Sequence, residues 1–139
     1  MFIVSEKQIV SKELIKAVEN PEAGAIATFT GVVRNNDDGK TVLRMEYEAH
    51  KEMAEKLLAE LGEEIKNKFP IIAIAMQHRV GMLEIGESSV MMAVSAAHRV
   101  DAFNACRYAI DKIKTTLPVW KKEYFENGSN WVKGTPVYT

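Results

Sequence analysis

The stretch that most constrains the fold runs from residue 94 to residue 123, where a strand pattern gives way to a helix and the helix to a proline. Residues 89–96 are typical of a β-strand. After them, apolar side chains recur at steps of three and four residues, as on one face of an α-helix. The predicted apolar stripe consists of Phe103, Cys106, Ile110, Ile113 and Leu117. Asp101 is predicted to cap this helix and Pro118 to end it, so a strand is followed directly by an amphipathic helix.

The same stretch gathers basic side chains around a group that titrates near neutral pH. These residues are His98, Arg99, Lys114, Lys121 and Lys122. Lys114 follows Ile113, so its stem should pack at the edge of the stripe with its ammonium near the core boundary. A strand end beside a helix N-terminus offers unpaired N–H groups and a partial positive charge, which attract phosphate or carboxylate. We therefore hypothesise that these residues line one anion-binding active site.

Each of these residues also has an ordinary structural interpretation. A His-Arg pair before a helix is commonly a surface or capping pair, and two lysines flanking a proline turn are commonly a solvated face. Cys106 lies on the apolar stripe, which favours a small core residue over a nucleophile. The spacing of the residues leaves these alternatives open.

The charge distribution favours a small anionic ligand. The net charge is −1, which argues against a general nucleic-acid binder. From His98 to Lys133 there are seven Lys or Arg and four Asp or Glu residues, a balance of +3, and the remainder has eleven against fifteen, a balance of −4. No apolar run reaches the roughly 18 residues of a membrane span, and the N-terminus lacks the pattern of a secretory signal. With a single cysteine, these features predict a cytoplasmic protein.

The remaining pattern predicts one α+β domain over residues 1–139, with helices packed on a mostly antiparallel sheet. Residues 24–34 are predicted to form a strand, the turn-rich residues 35–40 a loop, and residues 41–49 its partner strand, with Arg34 at the mouth of the loop. Either a ligand contact or a solvent-facing position suits Arg34. The predicted core stripe of the next helix is Met53, Leu57, Leu58, Leu61 and Ile65.

Two further strands, a terminal hairpin and a tail complete the prediction. Residues 71–80 and 88–97 are predicted as strands, with a loop between Gly81 and Gly86. His78 lies inside the first of these strands and is interpreted as structural or interfacial. Asn127-Gly128 predicts the turn of a small hairpin, and residues 134–139 a loose tail. The sequence has no nucleotide-binding glycine motif and no ligand spacing of a zinc site, so no cofactor and no metal is expected.

At this point the sequence resembles a known family. The blocks that carry the likeness, in order, are GAIATFTGVVR, MEYEAHKEMA, HRVGMLEIGE and VSAAHRVDAFNACRYAIDKIKTTLPVWKKE, followed by Trp131. Together they resemble the large, catalytic subunit of molybdopterin synthase, the MoaE family, over about residues 23–132. The resemblance implies an α/β hammerhead-type fold with a small additional antiparallel β subdomain.

The resemblance also implies a function and partners. The family forms a homodimer within a heterotetramer, in which a small ubiquitin-like carrier inserts a C-terminal Gly-Gly thiocarboxylate into the large subunit. Two sulfurs then pass to cyclic pyranopterin monophosphate (precursor Z), forming the dithiolene of molybdopterin in molybdenum cofactor biosynthesis. Such a protein is a sulfurtransferase that binds no nucleic acid and no membrane.

Residue roles follow from the match to the family's motifs. Lys114 and Lys121 match the catalytic lysines. The matched substrate-contact residues are Val32, Val33, Arg34, His98, Arg99, Lys114, Lys121, Lys122 and Glu123. We hypothesise that Lys114 is the acid/base group at the sulfur-transfer centre, since partial burial beside other cations would lower its pKa toward neutrality. Two other functions stay open: a non-catalytic docking module for a ubiquitin-like tail, and an unrelated enzyme acting on a small anion, such as a phosphate-ester lyase.

Overall fold

The described residues form two β-sheets and three helices. A computed structural model describes residues 1–126 and 128–132, and for residues 129–132 it describes the backbone. The helices are α1 (Ser11–Val18), α2 (Lys51–Lys68) and α3 (Arg99–Thr116). The strands are β1 (Phe2–Ser5), β2 (Ala25–Val32), β3 (Asn36–Asp37), β4 (Lys40–Ala49), β5 (Ile71–Arg79), β6 (Gly81–Glu84), β7 (Ser88–Ala96), β8 (Val119–Phe125) and β9 (Gly128–Val132). The α+β class is as predicted.

The first sheet has the strand order β1-β5-β7-β2 and helices on both faces. Because successive side chains of a strand point to opposite faces, β5 and β7 supply two separate cores. Ala75, Met91 and Ala93 pack on α1, whereas Met76 and Met92 pack on α2 and α3. This double covering explains why both central strands are apolar almost throughout. β1 pairs in parallel with β5, and the other pairings are antiparallel.

The second sheet has the order β3-β4-β8-β9, with β6 also paired to β4. All of its pairings are antiparallel. Among the side chains described, its buried apolar core is small and consists of Val33, Val42, Met45 and Leu83. This sheet corresponds to the additional antiparallel β region expected from the family likeness.

The predicted pairing of residues 24–34 with residues 41–49 is wrong. β2 pairs with β7, and β4 lies in the other sheet against β3, β6 and β8. The turn within residues 35–40 is present, but it does not connect residues 24–34 to residues 41–49 as paired strands. Asp38 and Gly39, with φ of 51° and 78°, form a tight turn that joins β4 to the two-residue strand β3. The loop predicted between Gly81 and Gly86 contains β6, which pairs with β4.

Details of two helices also differ from the prediction. The N-cap position of α3 is His98, without a side-chain capping bond, and Asp101 lies within the first turn. Phe103 is 64% exposed, because the face of α3 turned to the sheet carries Ala102, Ala105 and Ala109 beside Cys106 and Ile110. Met53 of α2 is likewise exposed, and Ala54 takes the buried position.

The terminal hairpin is present, with Phe125 paired to Gly128 at its end. Asn127 of the predicted turn and the predicted tail 134–139 lie outside the described residues. In the part of the chain described, no helix is both long and apolar enough to cross a membrane.

Candidate active site

A cavity of about 530 Å³ opens where the two sheets meet the C-terminal half of α3. Its walls come from β2, the loop that follows it, β3, β4, β7, α3 and β8. The charged residues of the lining are Arg34, Asp37, Asp111, Lys114, Lys121 and Glu123. Three cations and three carboxyl groups therefore face one space, and their arrangement decides what the cavity can bind.

Lys114 and Lys121 reach the cavity from opposite sides of a sharp reversal in the chain. Lys114 lies one turn after Ile110 and Asp111, which share its helix face and also line the cavity. The helix ends at Thr116, the N–H of the next residue, Leu117, donates to the carbonyl of Ile113, and Pro118 prevents continuation. β8 then returns the chain along the cavity wall, bringing Lys121 to the same space.

The strand geometry of β8 decides which of its residues enter the cavity. Residues two apart on a strand share a face, so Lys121 and Glu123 point inward together and are 4% and 2% exposed. Lys122 points to the other face, where its ammonium lies 5.2 Å from the centre of the Tyr124 ring. Lys122 is not part of the cavity lining.

Burial and like charge act together on the two lysines. Desolvation lowers the pKa of the Lys114 ammonium, and the nearby charge of Lys121 lowers it further. Desolvation also lowers the pKa of Lys121, with Arg34 adding to the effect and Glu123 and Asp37 opposing it. A lysine that loses its proton more easily is a better proton acceptor at neutral pH than a solvated one.

The carboxyl group of Glu123 is affected in the opposite direction. Desolvation raises its pKa from 4.5 to about 7, and a hydrogen bond with Asp37 adds to the rise, while the Lys121 charge opposes it. Arg34 lies beside this pair, with its Nη2 3.9 Å from Oδ1 of Asp37. Because more than half of the Arg34 side chain is exposed, this ion pair adds little stability.

Val32 and Val33 form the apolar rim of the cavity next to Arg34. Val32 is 55% exposed, whereas Val33 is buried in the core of the second sheet. This alternation lets the segment line the cavity and anchor it at the same time.

His98 and Arg99 lie at the other end of α3. They precede Lys114 by 15 residues or more, so about 22 Å of helix separates Arg99 from Lys114. Neither residue lines the cavity of its own chain. The structure therefore brings together Val32, Val33, Arg34, Lys114, Lys121 and Glu123, and places His98, Arg99 and Lys122 elsewhere in the chain.

Sequence reasoning missed several residues that shape the cavity. Tyr47 and Met45 line it from β4, and their spacing of two was a usable signal for one shared strand face. The pKa of Tyr47 is raised by burial. Ser89 lines the cavity from β7. The sequence did not indicate Asp37 as a cavity residue, because residues 35–40 are typical of an exposed polar turn.

His78 lies behind this wall as a neutral group. It is buried, its Nδ1–H donates to the carbonyl of Arg79 at 2.8 Å, and its ring meets Tyr47 edge to face at 5.3 Å. Desolvation lowers its pKa to about 4, and the charge of Lys114 contributes. These contacts give His78 a structural role in support of the cavity wall, which is one of the two roles that its place in a strand predicts.

Neither Cys106 nor the acidic side chains of the described residues form a metal-binding site. Burial raises the pKa of the Cys106 thiol to about 11, so it stays protonated inside the core. Within residues 1–126 and 128–132, no group of three or more His, Cys, Asp or Glu residues is arranged to hold a metal ion.

Comparisons with known proteins agree with this geometry. Residues 4–116 match the family model described as MoaE protein. The chain is 49% identical over 126 residues to the molybdopterin synthase catalytic subunit of Thermoplasma volcanium, covering 91% of this chain and 92% of that protein. It is 46% identical to that of Bacillus subtilis, covering 94% and 83%. The solved structure of molybdopterin synthase from Staphylococcus aureus superposes with a TM-score of 0.90 at 42% identity, covering 94% of this chain and 96% of that chain.

Proposed function

The chain belongs to the MoaE protein family, and on that premise we propose that it is the catalytic subunit of a molybdopterin synthase. Its reaction would move sulfur from the thiocarboxylate tail of a small ubiquitin-like carrier to cyclic pyranopterin monophosphate. The name of the relatives, catalytic subunit, implies that their enzyme has a further subunit. We place the reaction in the cytoplasm, since a chain with one cysteine needs no oxidising compartment.

The single observation that carries this proposal is the pair of lysines with lowered pKa at one cavity. Lys114 and Lys121 face the same space from α3 and β8, and burial lowers the pKa of both. A cavity of about 530 Å³ is in the usual range for a small-molecule site. This combination suits proton transfer on an anionic substrate better than it suits passive docking.

Within the cavity, we assign different roles to the cations. Lys114, at the end of the helix stripe, would exchange protons at the sulfur-transfer centre. Lys121 would hold the carrier's tail or the substrate by charge, and Arg34 at the rim would contact the cyclic phosphate. Val32 and Val33 would cover the apolar part of the substrate, and Glu123 would contact it from β8.

His98 and Arg99 fit this function if they serve the cavity of a second copy. They stand too far along α3 from Lys114 to share its cavity in one chain. Beside them, Val100 and Phe103 are 60% and 64% exposed. Large exposed apolar side chains next to functional cations indicate a surface that another chain covers. In the homodimer that we infer, His98 and Arg99 would add phosphate-binding groups from the partner copy.

Mixing two inactive variants tests the shared cavity. If Lys114 and Arg99 come from different copies, a dimer of Lys114→Ala with Arg99→Ala contains one cavity with both residues intact. A one-to-one mixture, exchanged to equilibrium, should recover about a quarter of the wild-type sites, since half of the dimers are mixed and each has one intact cavity. Equal inactivity before and after mixing would show that Arg99 does not serve the cavity of the partner copy.

A reconstitution tests the function itself. The protein is mixed with a thiocarboxylated small carrier and cyclic pyranopterin monophosphate, and the dithiolene product is assayed after oxidation. Product that depends on Lys114 supports the proposal. Carrier binding without product would favour the docking-module alternative, and neither binding nor product would exclude both.

A further inference from the structure

The carboxyl group of Glu123 is buried beside a second carboxyl group, that of Asp37. Its Oε2 is fully buried, and no N–H or O–H group of the described residues donates to it. A buried ionised carboxylate without a donor is costly. Asp37, on β3, lines the same cavity as Glu123, and its carboxyl is the hydrogen-bonding neighbour that raises the pKa of Glu123. Two carboxylates in contact repel each other unless one proton lies between them.

We propose that Asp37 is a positioning residue of the active site: it shares one proton with Glu123, and this carboxyl pair holds the short strand β3 beside Lys121. The inference deepens the function proposed above, and rests on it for the effect on sulfur transfer. The proton sharing itself does not depend on the reaction.

The hairpin is built to present Asp37 to β8. The tight turn at Asp38 and Gly39 reverses the chain directly after Asp37, and Asn36 closes the turn by accepting from the N–H of Gly39 at 3.3 Å. Asp37 pairs with Lys40 in the ladder, so its position is fixed by backbone contacts on one side. On the other side its carboxyl meets Arg34 at 3.9 Å as well as Glu123.

The pair sets how much positive charge the cavity offers. With one shared proton, the two carboxyls carry a charge of −1 against the cations Arg34, Lys114 and Lys121. Without the proton they carry −2 and offset most of that charge. An anionic substrate should therefore bind more weakly as the pH rises through the titration of the pair.

The titratable and charged groups that line the cavity with Glu123 come from each neighbouring element. β8 supplies Lys121, the segment from the end of β2 through β3 supplies Arg34 and Asp37, β4 supplies Tyr47, and α3 supplies Asp111 and Lys114. Desolvation and Asp37 raise the pKa of Glu123, and Lys121 and Arg34 lower it. The balance lies at about 7, so the proton is exchanged within the neutral range.

The test compares Asp37→Asn with Asp38→Asn. Both variants remove one negative charge from the same hairpin with nearly no change in shape, but only Asp37 contacts Glu123. Asparagine also tolerates the positive φ of residue 38. The titration of Glu123 is followed by carbon-13 NMR of protein labelled at glutamate carboxyls, with Glu123→Gln to assign the signal.

We expect a midpoint near 7 in the wild type, a lower midpoint in Asp37→Asn, and the wild-type midpoint in Asp38→Asn. The reason is that Asp37→Asn removes the charge that opposes ionisation of Glu123 and supplies an amide donor to the ionised form. An unchanged midpoint in Asp37→Asn, or an equal shift in Asp38→Asn, would overturn the proposal. Should Asp37→Asn not fold, a wild-type midpoint near the ordinary 4.5 would do the same.

The pH profile of kcat/KM for sulfur transfer gives the functional readout. Asp37→Asn should move the transition near pH 7 to lower pH, and kcat/KM should no longer fall between pH 7 and pH 8, because the variant carries one negative charge there where the ionised wild-type pair carries two. Asp38→Asn should stay within about twofold. A wild type without sulfur transfer would reject the proposed function, while the NMR titration would still decide whether the carboxyl pair exists.

Discussion

The two sheets of this protein differ in the side chains that they bury. The first sheet is covered by helices on both faces, and β5 and β7 bury apolar side chains on both. Among the side chains described, the core of the second sheet has four buried apolar residues, and the sheet buries Lys121 and Glu123 beside the cavity. Buried charges weaken a fold unless nearby groups compensate them. We infer that the first sheet supplies most of the stability of the fold, and that this stability offsets the cost of burying Lys121 and Glu123 in the second sheet.

Removing the proposed proton-transfer group should give the largest effect. Lys114→Ala is expected to lower sulfur transfer by roughly a hundredfold to ten-thousandfold, the range for a lost acid/base group, with the fold retained. Turnover is measured in the reconstituted reaction, and folding by circular dichroism. Lys112→Ala is the matched control, since Lys112 lies on the same helix over the Tyr108 ring, outside the cavity. Near-normal turnover in Lys114→Ala would contradict the division of roles between the sheets.

A core substitution in the first sheet should lower stability and leave activity almost unchanged, the opposite of the result expected for Lys114→Ala. Met92→Ala empties space at the centre of β7, where Met92 is fully buried, and should lower the free energy of unfolding by about 3 kcal/mol. The activity of the folded fraction should stay close to wild type. Leu43→Ala in the second sheet, where Leu43 is 41% exposed, should cost under about 1 kcal/mol. Chemical denaturation measures both, and a larger loss from Leu43→Ala would reverse the comparison.

The pH dependence of the free energy of unfolding should reveal the contribution of the buried carboxyl group of Glu123. The folded-state pKa of Glu123, about 7, lies above its ordinary 4.5, so its contribution is complete below pH 4.5 and is lost as the pH rises through 7. Glu123→Gln removes that loss. Between pH 4.5 and 7, the stability of the variant should therefore rise relative to wild type by up to about 3 kcal/mol.

This difference is measured by urea denaturation at several pH values. His78 acts in the other direction in both proteins, because its pKa is lowered to about 4 and stability falls as the pH drops below 6.5. Subtracting the wild-type curve removes the His78 contribution. A difference that stays constant with pH would mean that Glu123 titrates normally.

The smallest effect is expected from the only cysteine. Cys106→Ala should cost about 1 kcal/mol of stability, since it removes one small buried group, and should leave sulfur transfer intact. Transfer is measured with carrier that is already thiocarboxylated. Loss of transfer in a folded variant would show that Cys106 carries sulfur, and that the core of α3 takes part in the chemistry.

Much of the local structure was predictable because it depends on neighbours in the sequence. The steps of three and four from Phe103 to Leu117 predicted the helix carrying Lys114, and Pro118 predicted its end. The exposed Phe103 shows the limit of this reasoning, because alanines satisfy the same period and allow closer packing. The family likeness rests on residues quoted from the sequence, and the family match agrees with it.

Strand pairing could not be predicted from the sequence in the same way. β2 and β4 are separated by a short turn-rich segment, yet β2 pairs with β7 and β4 with β8. Pairing over such distances depends on which faces the helices cover, and no local signal records that. The role inferred for Asp37 was invisible for the same reason, since its partner Glu123 lies 86 residues later in the chain.

The helices, most of the strands, the family and the basic residues could all be predicted from the sequence, since propensity, periodicity and motif are local properties. Which of those residues share a cavity depended on how the chain folds. Folding joined Lys114 to Lys121 across the turn at Pro118, turned Lys122 away, and left Arg99 at the far end of α3. The physical reason is that charge and burial act through space: a pKa depends on the groups that folding brings near, wherever they lie in the chain.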